Sequence, residues 1–181
     1  MTGVQTCALP IWHSTRAFDE LVAALKAHGI RTLVDIRSFP MSRRMPHFNR
    51  ESLEVELPKQ GIAYVWMKEL GGRRKKIRND SPNSGLRNDS FRNYADHMLT
   101  DEFAQGIERL LQIAAEGNTA IMCAERVYFQ CHRMLVSDYL TSHGHTVLHI
   151  DDDRRPLREH KLMAEARLVD GQLIYNAQEL F

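Results

Sequence analysis

Cysteine is scarce in this chain, three in 181 residues, and no apolar run approaches the roughly 18 residues that a membrane-spanning helix needs. The first scarcity excludes a disulfide-stapled scaffold, and the second excludes a helical span. A secretory leader, with its basic start, apolar middle and small-residue cleavage site, is not recognisable either, so a reducing cytoplasm and no membrane are expected. Net charge is nearly absent: 24 Lys and Arg against 23 Asp and Glu leave +1. That balance argues against a wholesale electrostatic grip on nucleic acid, although basic residues can still cluster locally. Repeats and low-complexity tracts are missing, which excludes solenoids and long linkers. What remains, 43% hydrophobic and 26% charged residues, describes a soluble globular domain. A chain this long buries roughly 70% of its unfolded surface.

The polar residues converge on the stretch TAIMCAERVYFQCHR, residues 119–133. Residues 119–122 form a short apolar run after Gly117 and Asn118, the pattern of a strand covered on both faces. From Arg133 onward apolar positions recur at helical spacing until Gly144. A strand–turn–helix unit of this kind places Cys123, Glu125, Cys131, His132 and Arg133 where open α/β sheets bind ligands. The helix start favours anions and lowers a nearby thiol pKa. Cys123 reads equally as an inert core residue. Seven residues separate Cys123 from Cys131, outside the usual spacing of a zinc knuckle, so no metal and no other cofactor is expected. A phosphatase-type loop is also missing, since Phe129 stands six residues after Cys123.

Elsewhere the pattern alternates between strands and helices. Ser14 or Thr15 is placed to cap a helix carrying Phe18, Leu21, Val22 and Leu25, closed by Gly29. A strand is expected over residues 32–36, followed by Asp35, Arg37, Ser42 and Arg43 leaving the sheet together. Asn49 is placed to cap a helix over residues 51–60, shortened by Pro58, and residues 62–67 read as another strand. A long basic loop follows from Glu69 through Gly71, Gly72 and Arg73 to Ser90. Its lysines read as solvated surface and its strand-proximal residues as functional. Phe91, Tyr94, Ala95 and Met98 share one helical face, and a second helix begins after Thr100. Residues 146–150 are a further strand. Asp170 and Gly171 sit between apolar runs as in a hairpin spanning residues 168–175.

The first eleven residues, MTGVQTCALPI, resemble the translation of a sequencing-library adapter, as met in metagenomic reading frames. On that reading residues 1–11 are an artefact, Cys7 carries no chemistry, and the native first strand is cut away or replaced. The expected organisation is an α/β domain over residues 12–155 and a C-terminal extension over residues 156–181.

Six motifs then occur in order: His13-Ser14-Thr15; Asp35, Arg37, Pro40, Ser42 and Arg43; Leu70-Gly71-Gly72-Arg73; Phe91-Arg92 with Tyr94-Ala95; Cys123-Ala124-Glu125; and Cys131-His132-Arg133. Together they resemble the bacterial and archaeal family called domain of unknown function 488, from about residue 12 to residue 150. The resemblance implies an α/β three-layer sandwich with a central, largely parallel, Rossmann-like sheet and a small C-terminal appendage. Family members carry Thr-Ile-Gly before the His-Ser pair, where this chain has Ile11 and Trp12. No activity comes with the family name.

On a parallel sheet these motifs fall on one rim, because parallel strands share a carboxyl edge. The first functional reading is an enzyme, a hydrolase or transferase, acting on a phosphorylated or nucleotide-like small molecule. Arg37, Arg43, Arg73 and Arg133, helped by His13, Ser14, Ser42 and Tyr94, would bind the anion. Asp35, Glu69, Glu125 and His132 are acid/base candidates, and Cys123 or Cys131 a candidate nucleophile. A structural Asp35–Arg37 ion pair is the competing reading for those two residues. The alternatives are a nucleotide or nucleic-acid binding module built on residues 73–78 with Arg87, Arg92, Trp66 and Phe91, and a thiol redox or metal-binding protein.

Overall fold

A computed structural model describes residues 6–176. Residues 1–5 of the adapter-like head, and the Cys7 side chain, lie outside the described residues. Five strands, β1 (Thr6–Trp12), β2 (Thr32–Asp35), β3 (Ala63–Trp66), β4 (Thr119–Cys123) and β5 (Thr146–His149), pair in parallel in the order β3-β2-β4-β1-β5. The two-residue β6 (Arg158–Glu159) adds an antiparallel edge to β5. The first-strand position, expected to be cut away or replaced, is filled by Thr6–Trp12, with Leu9 and Ile11 buried between β4 and β5.

Alternation within each strand divides the core in two. Leu9, Ile11, Leu33, Ala120 and Met122 face α1 (Phe18–Ala27) and α2 (Arg50–Lys59). Val34, Ile121 and Val147 face α3 (Asp89–His97), α4 (Asp101–Glu116) and α5 (Arg133–Ser142). Helices therefore cover both faces, the three-layer α/β sandwich that the resemblance implied. Each fully buried Leu, Ile or Val contributes about 1.5–3 kcal/mol of burial. The antiparallel pair β7 (Ala166–Val169) and β8 (Gln172–Tyr175) is the expected hairpin, turned by Asp170 at φ 49° and Gly171 at φ 79°. Its Leu173 and Tyr175 join the α3–α5 core.

Two helix starts differ from the sequence reading. Ser14 and Thr15 do not cap α1: Ala17 takes the cap position, and its N–H donates to Glu20 Oε2 at 2.8 Å. Ser14 instead turns in the left-handed region, φ 37°, while its N–H reaches Ala124 O at 2.9 Å. Asn49 does stand at the N-cap of α2, but its Oδ1 accepts from Ser42 N–H at 2.5 Å and ties down the preceding loop. Pro58 is carried in the last turn of α2, which ends at Lys59. Asn88 and Thr100 cap α3 and α4 with side-chain acceptors. No helix among the described residues is long and apolar enough to cross a membrane.

Candidate functional site at the carboxyl rim

Parallel pairing brings the ends of β1, β2, β3 and β4 to one edge, and there a cavity of about 680 Å³ opens. Arg37, Ser38, Phe39 and Met41 reach it after β2, Gly72 and Arg73 after β3, Cys123, Ala124 and Glu125 after β4, and Gln130, Cys131 and His132 before α5. Ser90 and Phe91 close its outer side. The long loop is drawn in by Ser38, whose Oγ accepts from Arg73 N–H at 2.8 Å. Gly71 and Gly72 are required by this close approach. A Cβ at Gly71 would meet Ser38 Oγ at 2.7 Å, and one at Gly72 would enter the His132 ring, 2.6 Å from Cγ.

Asp35 and Arg37 form a buried ion pair at 2.5 Å. The Arg37 Nε also donates to Asp35 Oδ1 at 2.9 Å, Nη2 to Phe48 O at 2.8 Å, and Tyr64 OH to Asp35 Oδ2 at 2.6 Å. Burial opposes the Arg37 charge, but Asp35 outweighs it and raises the pKa. His13 stands against Arg37 Nη1 at 3.1 Å. Its pKa falls to about 4, first through burial and then through the Arg37 charge, so the ring is neutral and Nε2 accepts. The Nδ1–H then donates to Ser14 O at 3.2 Å. Asp35 and Arg37 thus form a buried ion pair whose other partners are His13, Phe48 and Tyr64, and Arg37 also lines the cavity.

The thiols lie at the cavity floor. Cys123 ends β4, Cys131 precedes α5, and their sulfurs stand 3.9 and 3.6 Å from His132 Nδ1. The other imidazole nitrogen, Nε2, donates to Ile36 O at 2.9 Å. Arg133 N–H donates to Cys131 Sγ at 3.5 Å. The two thiols are coupled. Hydrogen bonding to Cys131, with burial, pushes Cys123 well above the usual range. Burial alone would push Cys131 up, but Cys123, His132 and the Arg133 charge pull it well below.

The remaining foreseen residues are more dispersed. Glu69 packs against α4 and pairs with Arg109 at 3.1 Å, outside the cavity lining. Tyr94 is buried and donates from OH to Leu70 O at 2.8 Å, with its ring 5.1 Å from that of His132. Ser42 Oγ accepts from Met45 N–H at 3.1 Å, and Arg43 is exposed away from the cavity. Arg133 is buried, with Nη2 donating to Glu125 O. Of the four arginines foreseen as a clamp, Arg73 is the exposed one at the cavity, its guanidinium 5.9 Å from the Phe39 ring centroid.

Sequence reasoning missed Tyr64, which completes the Asp35 shell, and Arg74. Arg74 Nε donates to Gly71 O at 2.9 Å, and its Nη2 to Lys68 O and Glu69 O at 2.9 and 2.8 Å, fastening the glycine turn from within. Its place inside a basic run concealed that role. A second rim cavity of about 670 Å³ was also unforeseen, with the guanidinium groups of Arg16 and Arg126 over the Trp12 ring at 3.6 and 5.5 Å from its centroid.

No curated protein and no solved structure matches this chain. Residues 17–140 match the family described as "Domain of unknown function DUF488", which takes in every foreseen motif except His13-Ser14-Thr15. With well over half of its length matched, the chain belongs to the DUF488 family.

Proposed function

We propose that the rim cavity is the active site of an enzyme, a hydrolase or transferase, acting on a nucleotide-like, phosphate-bearing small molecule. The observation that carries this reading is the meeting of the exits of β2, β3 and β4 with the start of α5 in one cavity of about 680 Å³, a volume suited to a small ligand. Arg73 offers an exposed guanidinium for a phosphate. Phe39, 65% exposed, and Phe91 offer faces for a base. Glu125 is the carboxylate on the cavity wall and serves as the acid/base group. Arg37 acts indirectly, holding the loop with Asp35.

A thermal-melting screen against nucleotides, phosphosugars and short oligonucleotides tests the reading. A ligand at 100 times its Kd stabilises by about 2.7 kcal/mol. A nucleotide is expected to raise Tm, Arg73→Ala to remove that rise, and Glu125→Gln to keep the rise while abolishing turnover. If oligonucleotides alone stabilise the protein, and the effect collapses steeply with salt, a nucleic-acid binding module replaces the enzyme.

A further inference from the structure

From the geometry of Cys123, Cys131 and His132 we infer a zinc site on the cavity floor, with its fourth coordination position open to the cavity. The sequence spacing argued against zinc, because seven residues separate the cysteines. The fold removes that objection by bringing the carboxyl end of β4 and the start of α5 together, so the ligands need no short knuckle.

Three observations carry the inference. First, the donor atoms Cys123 Sγ, Cys131 Sγ and His132 Nδ1 all lie within 4.8 Å of one another. Tetrahedral zinc, with bonds of about 2.3 Å to sulfur and 2.0–2.1 Å to nitrogen, sets sulfur and nitrogen about 3.6 Å apart. Here the two distances are 3.6 and 3.9 Å. Second, the imidazole is oriented as a ligand. Its Nε2–H is spent on Ile36 O at 2.9 Å, which leaves the Nδ1 lone pair facing both sulfurs, and a backbone carbonyl behind a histidine is the usual outer support of a zinc ligand. Third, Gly72 is seated so closely over the ring that any larger residue would displace it.

Two thiolates and an imidazole form a soft, borderline donor set that selects zinc over magnesium or calcium. Three protein ligands plus an open position is the arrangement of catalytic rather than structural zinc. On loading, both sulfurs bind as thiolates, Cys123 releasing its proton to solvent, and Nδ1 gives its lone pair. The fourth position would take a water or a substrate oxygen. That last role rests on the active-site reading above, whereas the metal site stands on the donor geometry alone.

The test uses the full chain without a histidine tag. Metal content is measured after purification from zinc-supplemented cells, and metal-stripped protein is titrated with Zn²⁺ and with Co²⁺. One zinc per chain is expected, together with a cobalt spectrum showing thiolate charge transfer and the intense visible bands of a tetrahedral site. Cys131→Ser and His132→Ala should each weaken zinc binding by roughly 100-fold or more, beyond the loss seen for outer-shell changes. Cys7→Ser should leave it unchanged. If a ligand variant does not fold, the wild-type cobalt spectrum still decides. An octahedral, thiolate-free spectrum, substoichiometric zinc, or zinc held equally by a folded Cys123→Ser/Cys131→Ser protein would each overturn the site. Nucleotide-induced stabilisation read on the same preparations separates the two ideas. Stabilisation without zinc leaves the enzyme reading standing, and zinc without stabilisation leaves only the metal site.

Discussion

At the scale of single residues, the most informative pair is Asp35 and Arg37. Both are charged, adjacent to a strand end and drawn from a motif, which are the features of a ligand clamp and equally of a structural ion pair. Burial supports the ion pair: Asp35 is 0% and Arg37 5% exposed, and they hydrogen-bond to each other, Tyr64, Phe48 and His13. Arg37→Ala leaves a buried carboxylate without its cation, so a loss of about 3–5 kcal/mol is expected, roughly a 10 °C fall in Tm. A thermal melt checks it, and an unchanged Tm would return Arg37 to the clamp. Gly72→Ala tests the opposite kind of residue, one that matters by having no side chain. Its methyl would push on His132, so we expect a loss of about 1–3 kcal/mol from overpacking. Calorimetry on the purified variant measures it.

At the scale of elements, strand and helix identities were legible because the two periodicities differ and the caps are polar. Residues 119–122 read as a doubly covered strand, and β4 is buried at every position. Thr100 announced α4, and Asp170-Gly171 announced the hairpin turn. The false caps at Ser14 and Thr15 show the limit: a hydroxyl before an apolar run is also a turn residue, and tertiary bonds to Ala124 claimed Ser14. How the hairpin docks was not legible either. Tyr175 OH donates to the buried Asp138 Oδ2 at 3.1 Å, while Asn83 Oδ1 accepts from Tyr175 N–H at 2.9 Å. Tyr175→Phe strips one donor from that carboxylate and should cost about 1–3 kcal/mol. Limited proteolysis should cut the hairpin faster in this variant, and equal rates would mean the hydroxyl contributes nothing to docking.

At the scale of the whole molecule, a buried polar chain joins the sheet, α5 and the C-terminal segment: His149 stands 2.9 Å from His160, and His160 2.7 Å from Asp138. Burial first, then the positive surroundings of His160, Arg158 and Arg133, lower the His149 pKa to about 3. The unfolded chain protonates this residue near pH 6.5 while the folded chain rejects the proton. Stability from this group is therefore complete above about pH 6.5 and declines as pH falls from there towards 3, by up to about 1.4 kcal/mol per pH unit. Urea melts at pH 7.5, 6.0 and 5.0 should show that decline, and His149→Gln should flatten it by about one proton. A slope untouched by the substitution would take His149 out of the linkage. The amino-acid sequence by itself determined the α/β class, the strand and helix order, the family and the motifs of the rim, because periodicity, turn chemistry and short motifs are local and need no partner. Only the tertiary structure decided which rim residues meet. Glu69 left the cavity for Arg109, Arg37 was spent on Asp35, and two cysteines too widely spaced for a knuckle closed on one imidazole. The physical reason is that distance along the chain sets local conformation, whereas burial and pairing are settled by residues from separate strands that only the closed sheet brings together.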